Sequence, residues 1–156
     1  MIRIGIPGFK TVEIDNLILD FNGTIALDGD LLDGVDERLV ELSHLVNIYI
    51  ITADTFGLVE TRCKGLPVNI RKIPAGEEAD RKRILLERMG CEHTVAMGNG
   101  ANDVQMLERA CVGIAVMGKE GTCAAALKAA DICVPDACTG LDLLLFPKRI
   151  TATLRY

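Results

Sequence analysis

Short apolar runs alternate with helix-like patterns along most of this 156-residue chain. Segment 46–51 is rich in β-branched residues and is typical of a buried strand. Segment 35–45 before it carries apolar residues at the spacing of one helix face. Repeated β-α alternation builds parallel sheets through crossover connections. We therefore predict an α/β, Rossmann-like, doubly wound and mainly parallel sheet with helices on both faces.

The same patterns predict where the individual elements lie. Strands are expected at 17–19, 46–51, 68–73, 94–97, 113–117 and 132–134, and helices at 35–45, 54–63, 77–89, 102–110, 121–130 and 141–154. The first segment, 2–14, is interpreted as an added hairpin or an edge strand. The connection 24–35 is predicted to be an exposed loop over the end of the first core strand.

Composition bounds the class of protein. Hydrophobic residues make up 49% of the chain and charged residues 25%, which suits a single domain spanning 1–156 with a sizeable core. Aromatic residues make up 4%, and the net charge is −5, so we predict no nucleic-acid partner. No apolar run approaches a membrane span, and no signal peptide is visible. We predict no membrane association and a cytoplasmic protein with reduced cysteines.

Polar residues follow the predicted strands where parallel strands usually present a ligand site. They are Asp20 and Asn22 after the first core strand, Thr52 and Asp54 after the second, and Asn99, Asn102 and Asp103 after the fourth. Lys82 lies in the helix before that fourth strand. Each has a simpler interpretation: Asp20 as a turn residue, Thr52 or Asp54 as a helix cap, and Lys82 as part of a solvated charged face.

Taken together and in order, these residues resemble a known family. Asp-x-Asn-Gly-Thr from Asp20, then Thr52-Ala53-Asp54, then Lys82, then Gly-Asn-Gly-Ala-Asn-Asp from Gly98 resemble the haloacid-dehalogenase-like (HAD) phosphotransferase superfamily. The resemblance covers about 16–135 and is closest to the phosphorylation domain of P-type ATPases and its soluble stand-alone relatives. It implies a HAD-like fold.

The resemblance also implies roles for these residues. Asp20 would be the nucleophile that forms an aspartyl phosphate. Thr52 would donate its hydroxyl to a phosphoryl oxygen, and Lys82 would neutralise charge. Mg2+ would be the cofactor, offsetting the repulsion between an anionic nucleophile and an anionic phosphate. Its ligands would be Asp20, the backbone carbonyl of Asn22, Asn99 and Asp103.

The remaining implied contacts are to phosphate. Gly23 and Thr24 would supply backbone N–H groups around it. Ala53 and Asn102 are the other predicted phosphate-binding residues. Asp54 would contribute to the hinge and phosphate site, or would act as a helix cap.

Two positions depart from the family pattern. Asn22 stands where HAD phosphatases carry an Asp that protonates the leaving oxygen and then activates water. General acid–base help is typically worth about 10²–10⁴-fold, so fast hydrolysis of ordinary esters is not expected. Asn99 stands where the family has a metal-associated Asp, and an amide should hold Mg2+ less well than a carboxylate.

The segments between the motifs are too short for an inserted domain, so the chain is predicted to be capless. Capless members act on large substrates or use a neighbouring subunit, which makes a homo-oligomer plausible. The apolar tail 141–146 would form that interface or would be a last helix packed on the sheet.

The leading hypothesis is a Mg2+-dependent phosphatase or phosphotransferase for a small-molecule or protein phosphate. The alternative is a catalytically impaired relative that binds phosphate, a nucleotide or a protein partner in a regulatory role. A response-regulator receiver is disfavoured, because receivers place the acceptor Asp after the third strand.

Overall fold

The fold is described by a computed structural model that covers residues 1–53 and 57–156. The strands are β1 (Ile2–Gly5), β2 (Thr11–Ile14), β3 (Asn16–Asp20), β4 (Ala26–Leu27), β5 (Asp30–Leu31), β6 (Asn47–Thr52), β7 (Asn69–Lys72), β8 (Thr94–Gly98), β9 (Val112–Val116) and β10 (Ile132–Val134). The helices are α1 (Val35–Ser43), α2 (Leu58–Arg62), α3 (Glu78–Met89), α4 (Val104–Arg109), α5 (Ala124–Ala129), α6 (Ala137–Leu145) and α7 (Lys148–Leu154).

The central sheet has six strands in the order β10-β9-β8-β3-β6-β7. Every pairing in it is parallel. The predicted doubly wound α/β sheet is confirmed. Strand β10 matches its prediction residue for residue, whereas α5 is shorter than the predicted helix 121–130.

Helices cover both faces because the buried strands alternate their side chains between two cores. In β3, Leu17 and Leu19 join the larger core with α1, α2, α6, α7 and the first two strands. Ile18 points the other way, into the core formed with α3, α4 and α5. All three side chains are fully buried, and burial of each is worth about 1.5–3 kcal/mol. A strand buried on both faces reads as a continuous apolar run, as β3 does.

The order of the strands determines where a ligand site can form. From β3 the chain moves outward through β6 and β7, then returns by α3 to β8 on the opposite side of β3. Ligands bind beyond the carboxyl ends of strands at such a reversal. Asp20 ends β3 and Gly98 ends β8, so both lie at this point.

The N-terminal segment forms an antiparallel hairpin of β1 and β2, separate from the main sheet, which confirms the hairpin interpretation. Its buried side chains, including Ile4 and Ile14, join the larger core.

The connection 24–35 differs from the predicted exposed loop. It contains the short hairpin β4–β5, and Ile25 and Ala26 are buried. Their backbone amides donate to the carbonyl of Phe21, which turns the chain back on itself and carries two apolar residues into the core. Within the described ranges nothing larger than this hairpin is inserted there, consistent with the predicted capless fold.

The predicted single helix 141–154 is two helices, α6 and α7, separated at Pro147, and most of the apolar tail 141–146 lies in α6. Leu141 and Leu144 are fully buried in the larger core, so the tail packs on the sheet as the last-helix alternative predicts. Phe146 remains about half exposed. Among the helices in 1–53 and 57–156, none has the length and apolarity that a bilayer crossing needs.

Candidate active site

A cavity of about 300 Å3 opens at the carboxyl ends of the central strands. Its walls are Asp20, Asn22, Thr52, Ala53, Glu78, Lys82, Asn99, Gly100, Asn102 and Glu120. The structure therefore brings together most of the predicted site residues from four separate segments. Asp54 lies outside the described residues.

Lys82 is buried, with 2% of its side chain exposed. Its Nζ donates to Asp20 Oδ1 and to Asp103 Oδ1, each at 2.6 Å. Lys82 and the buried Leu86 are four residues apart and share the inner face of α3. Burial lowers the pKa of Lys82, but attraction from Asp20 and Asp103 outweighs it and raises the pKa above its usual value. The solvated-face interpretation of Lys82 is wrong.

Asp103 lies behind Lys82, with none of its side chain exposed. Its Oδ2 accepts from the backbone amides of Asn99 at 3.0 Å and Gly100 at 2.9 Å. A Cβ at Gly98 would come within 2.4 Å of Asp103 Cγ, so the strand end must be glycine for this carboxylate to fit. The carboxylate is satisfied by three donors and is absent from the cavity wall. In this structure the carboxylate binds Lys82, and its expected role as a metal ligand stays a prediction.

Asp20 faces the cavity with 13% of its side chain exposed. Lys82 binds Oδ1, and the Thr24 hydroxyl lies 3.1 Å from Oδ2. The pKa of Asp20 is raised to about 6, first by burial and then by Asp103, although Lys82 and Thr24 act in the opposite direction. An ionised Asp20 carboxylate therefore lies where more positive charge would stabilise it.

The turn after β3 presents a side chain rather than the expected backbone amides. The Gly23 N–H donates to the Ala26 carbonyl and the Thr24 N–H to the Phe21 carbonyl, so neither is free for phosphate. Instead the Thr24 hydroxyl lies between Asp20 and Asn99, 3.2 Å from Asn99 Oδ1. The sequence motif included Thr24 but did not indicate this contact.

The cavity oxygens fit a hard divalent cation. Asp20 Oδ2 and Asn99 Oδ1 converge on the Thr24 hydroxyl, which has a single proton to donate. Asn22 lies on the same wall. Carboxylate, amide and carbonyl oxygens suit Mg2+, which keeps several waters and needs few protein ligands. In the described part of the chain no group of three or more His, Cys, Asp or Glu could hold a metal.

Two charged wall residues, Glu78 and Glu120, were not predicted. Glu120 follows the carboxyl end of β9, and its Oε1 accepts from the Asp28 amide in the β4–β5 turn at 3.5 Å. The strand-end rule that identified Asp20 could have identified Glu120. Glu78 begins α3, and backbone hydrogen bonds at Glu78 and Gly76 hold its pKa below the usual range.

Comparisons with known proteins agree with this architecture. No protein-family profile matches the chain. An uncharacterized protein of Methanocaldococcus jannaschii is 39% identical over 84 residues, covering 51% of this chain and 90% of that protein. A soluble P-type ATPase-like phosphatase of the same organism is 29% identical over 122 residues, covering 76% of this chain and 45% of that protein.

Solved structures extend the likeness to nearly the whole chain. A cobalt-bound deoxy-D-mannose-octulosonate 8-phosphate phosphatase from Haemophilus influenzae aligns with a TM-score of 0.72 at 13% identity, covering 92% of this chain and 94% of that one. A 3-deoxy-D-manno-octulosonate 8-phosphate phosphatase from Moraxella catarrhalis, in complex with magnesium, phosphate and KDO, aligns with a TM-score of 0.67 at 18% identity. That alignment covers 91% of this chain and 94% of the other. At these identities the match establishes the fold. That fold is HAD-like, and it carries the ordered motifs at its strand ends, as the resemblance predicts.

Proposed function

We propose that the protein is a Mg2+-dependent phosphatase or phosphotransferase that acts through an aspartyl phosphate on Asp20. The observation that carries the proposal is the buried Lys82, held by Asp103 and aimed at Asp20 on the cavity wall. The phosphatases among the relatives and structural neighbours support it. Their bound magnesium and cobalt support a divalent metal.

The reaction would begin with attack of an Asp20 oxygen on phosphorus. A P–O bond forms to Asp20, and the bond to the leaving group breaks with its electron pair. The Lys82 ammonium stabilises charge on Asp20 and on the phosphoryl group, and Thr52 donates its hydroxyl to a phosphoryl oxygen. A bound Mg2+, held by Asp20, the Asn22 carbonyl, Asn99 and Asp103, would supply further neutralisation of the phosphate charge.

Asn22 sets the preference among substrates. An amide does not exchange a proton at neutral pH, so the leaving group must depart without one. Acyl and aryl phosphates meet that requirement, whereas alkyl esters do not. Slow turnover of ordinary esters follows.

The test is metal-dependent turnover of p-nitrophenyl phosphate and acetyl phosphate. We expect release of phosphate with Mg2+, its loss in Asp20→Asn, and a beryllium fluoride adduct on Asp20. The matched control is Asp80→Asn, an exposed α3 carboxylate, which should retain the wild-type rate. Equal rates for wild type and Asp20→Asn would contradict the proposal.

A second candidate rests on the amides at Asn22 and Asn99. In this version the chain is a catalytically impaired relative that binds phosphate, a nucleotide or a protein partner in a regulatory role. It predicts that Asn22→Asp gains hydrolysis over an inactive wild type. A homo-oligomer remains a prediction, and the six free cysteines suit the proposed cytoplasmic location.

A further inference from the structure

A second cavity of about 620 Å3 adjoins the cavity of Asp20. We name it the apolar groove, lined by Leu27, Leu32, Val116, Met117, Pro135 and Cys138. One wall is the β4–β5 hairpin with the turn that follows, and the other is formed by the ends of β9 and β10. Its size is within the usual range for small-molecule sites, roughly 300–1,000 Å3.

The two cavities meet at the nucleophile loop. Glu120 lines both of them. Thr24 lines the groove, and its hydroxyl lies 3.1 Å from Asp20 Oδ2. The groove therefore begins at the residue whose hydroxyl contacts Asp20, beside the expected position of a phosphoryl group.

The charges around the groove select against a second anion. Asp33, Glu120 and Asp136 line it with one cation, Lys119. Asp136 is committed to capping α6, since it accepts from the Thr139 amide at 2.7 Å and hydroxyl at 3.0 Å. An additional carboxylate or phosphate on the substrate would meet excess negative charge and apolar walls.

We infer that the apolar groove holds an uncharged aryl leaving group of the substrate. This inference rests on the proposed function, and two observations together narrow the class of leaving group. Asn22 requires a leaving group that departs unprotonated, and a phenolate can do so. The groove then supplies apolar walls for its ring. The P–O bond to the aryl oxygen breaks as Asp20 bonds to phosphorus, and the released phenolate takes a proton from water.

The test compares 1-naphthyl phosphate, acetyl phosphate and 3-phosphoglycerate in the presence of Mg2+. We expect the highest kcat/KM for 1-naphthyl phosphate and the lowest for 3-phosphoglycerate, which carries a second anion. Met117→Asp should lower the ratio of naphthyl to acetyl kcat/KM about tenfold, the effect of losing roughly one apolar contact. Phe146→Asp, similarly exposed but away from the groove, should leave the ratio unchanged.

Leu27→Asn, on the opposite wall, serves as a second groove variant if Met117→Asp does not fold. A ratio unchanged in a folded groove variant would overturn the inference. A binding measurement distinguishes failure of this inference from failure of the proposed function. If no phosphate is turned over, calorimetric binding of 1-naphthyl phosphate that is lost in Met117→Asp supports the groove while Asp20 catalysis fails. Binding insensitive to Met117→Asp overturns the groove assignment.

Discussion

At the level of single residues, the site is governed by one ammonium between two carboxylates. Lys82 lies 2.6 Å from both Asp20 and Asp103, and all three groups are largely removed from water. The Asp103 carboxylate is also bound by two backbone amides, so its charge is well stabilised. The ionised form of Asp20 is destabilised by burial and by the nearby Asp103 charge, and its pKa is therefore raised to about 6.

This raised pKa makes a prediction about stability in the absence of metal. The penalty on ionised Asp20 is absent below its ordinary pKa of 3.8 and complete above a folded-state pKa of about 6. Each pKa unit corresponds to about 1.4 kcal/mol. Asp20→Asn should therefore gain about 2–3 kcal/mol of unfolding free energy, relative to wild type, between pH 4 and pH 7.5. Urea unfolding with EDTA at the two pH values measures this, and a pH-independent difference would contradict it.

Asn99 gives a second prediction at this scale. Its Oδ1 faces the Thr24 hydroxyl beside Asp20, where a carboxylate would add a charged oxygen ligand. Asn99→Asp should tighten Mg2+ binding by on the order of tenfold, the lower end of what changes around metal ligands produce. Calorimetric titration with Mg2+ measures it. Asn102→Asp adds the same charge to the same cavity, and an equal effect there would show that Asn99 is not a ligand position.

At the level of elements, the sequence predicts where the strands end better than it predicts which contacts the side chains make. The runs before Asp20, Thr52 and Asn99 are continuous and apolar, so the sequence predicts buried parallel strands that end together. The direction of Lys82 depends on which face of a charge-rich helix meets the sheet, and local pattern does not decide that. Likewise, the contact between the Thr24 hydroxyl and Asp20 depends on the shape of a turn whose backbone amides donate to carbonyls of the same turn.

The junction between β8 and the following turn gives a prediction for Gly98. A methyl group there would come within 2.4 Å of Asp103 Cγ and displace the carboxylate that holds Lys82. Gly98→Ala should cost about 1–3 kcal/mol of stability, as overpacking usually does, and should lower phosphoenzyme formation. Gly5→Ala in β1 is the control, since its Cβ would meet nothing within 4 Å. Thermal unfolding and phosphoenzyme yield measure the pair, and equal effects would contradict the proposed contact.

At the level of the whole molecule, the sheet is closed on one face by elements distant in sequence. The N-terminal hairpin, α1 and the C-terminal helices share one core. Arg38 of α1 is joined to Asp142 of α6 at 2.7 Å, with both side chains partly buried. The site is built from the carboxyl ends of the strands and from Lys82 of α3, so we expect the tail to act on it through the stability of the sheet.

A substitution in α6 can therefore test whether this helix packs within one chain or between two chains. Leu144 is fully buried, and Leu144→Ala should cost about 2–5 kcal/mol of unfolding free energy. Leu145→Ala, at a partly buried neighbour, should cost less. Because the contact lies within one chain, the Tm shift of Leu144→Ala should not depend on protein concentration. A shift that grows on dilution would instead place α6 at a subunit interface. Thermal scans across a hundredfold range of concentration measure the difference.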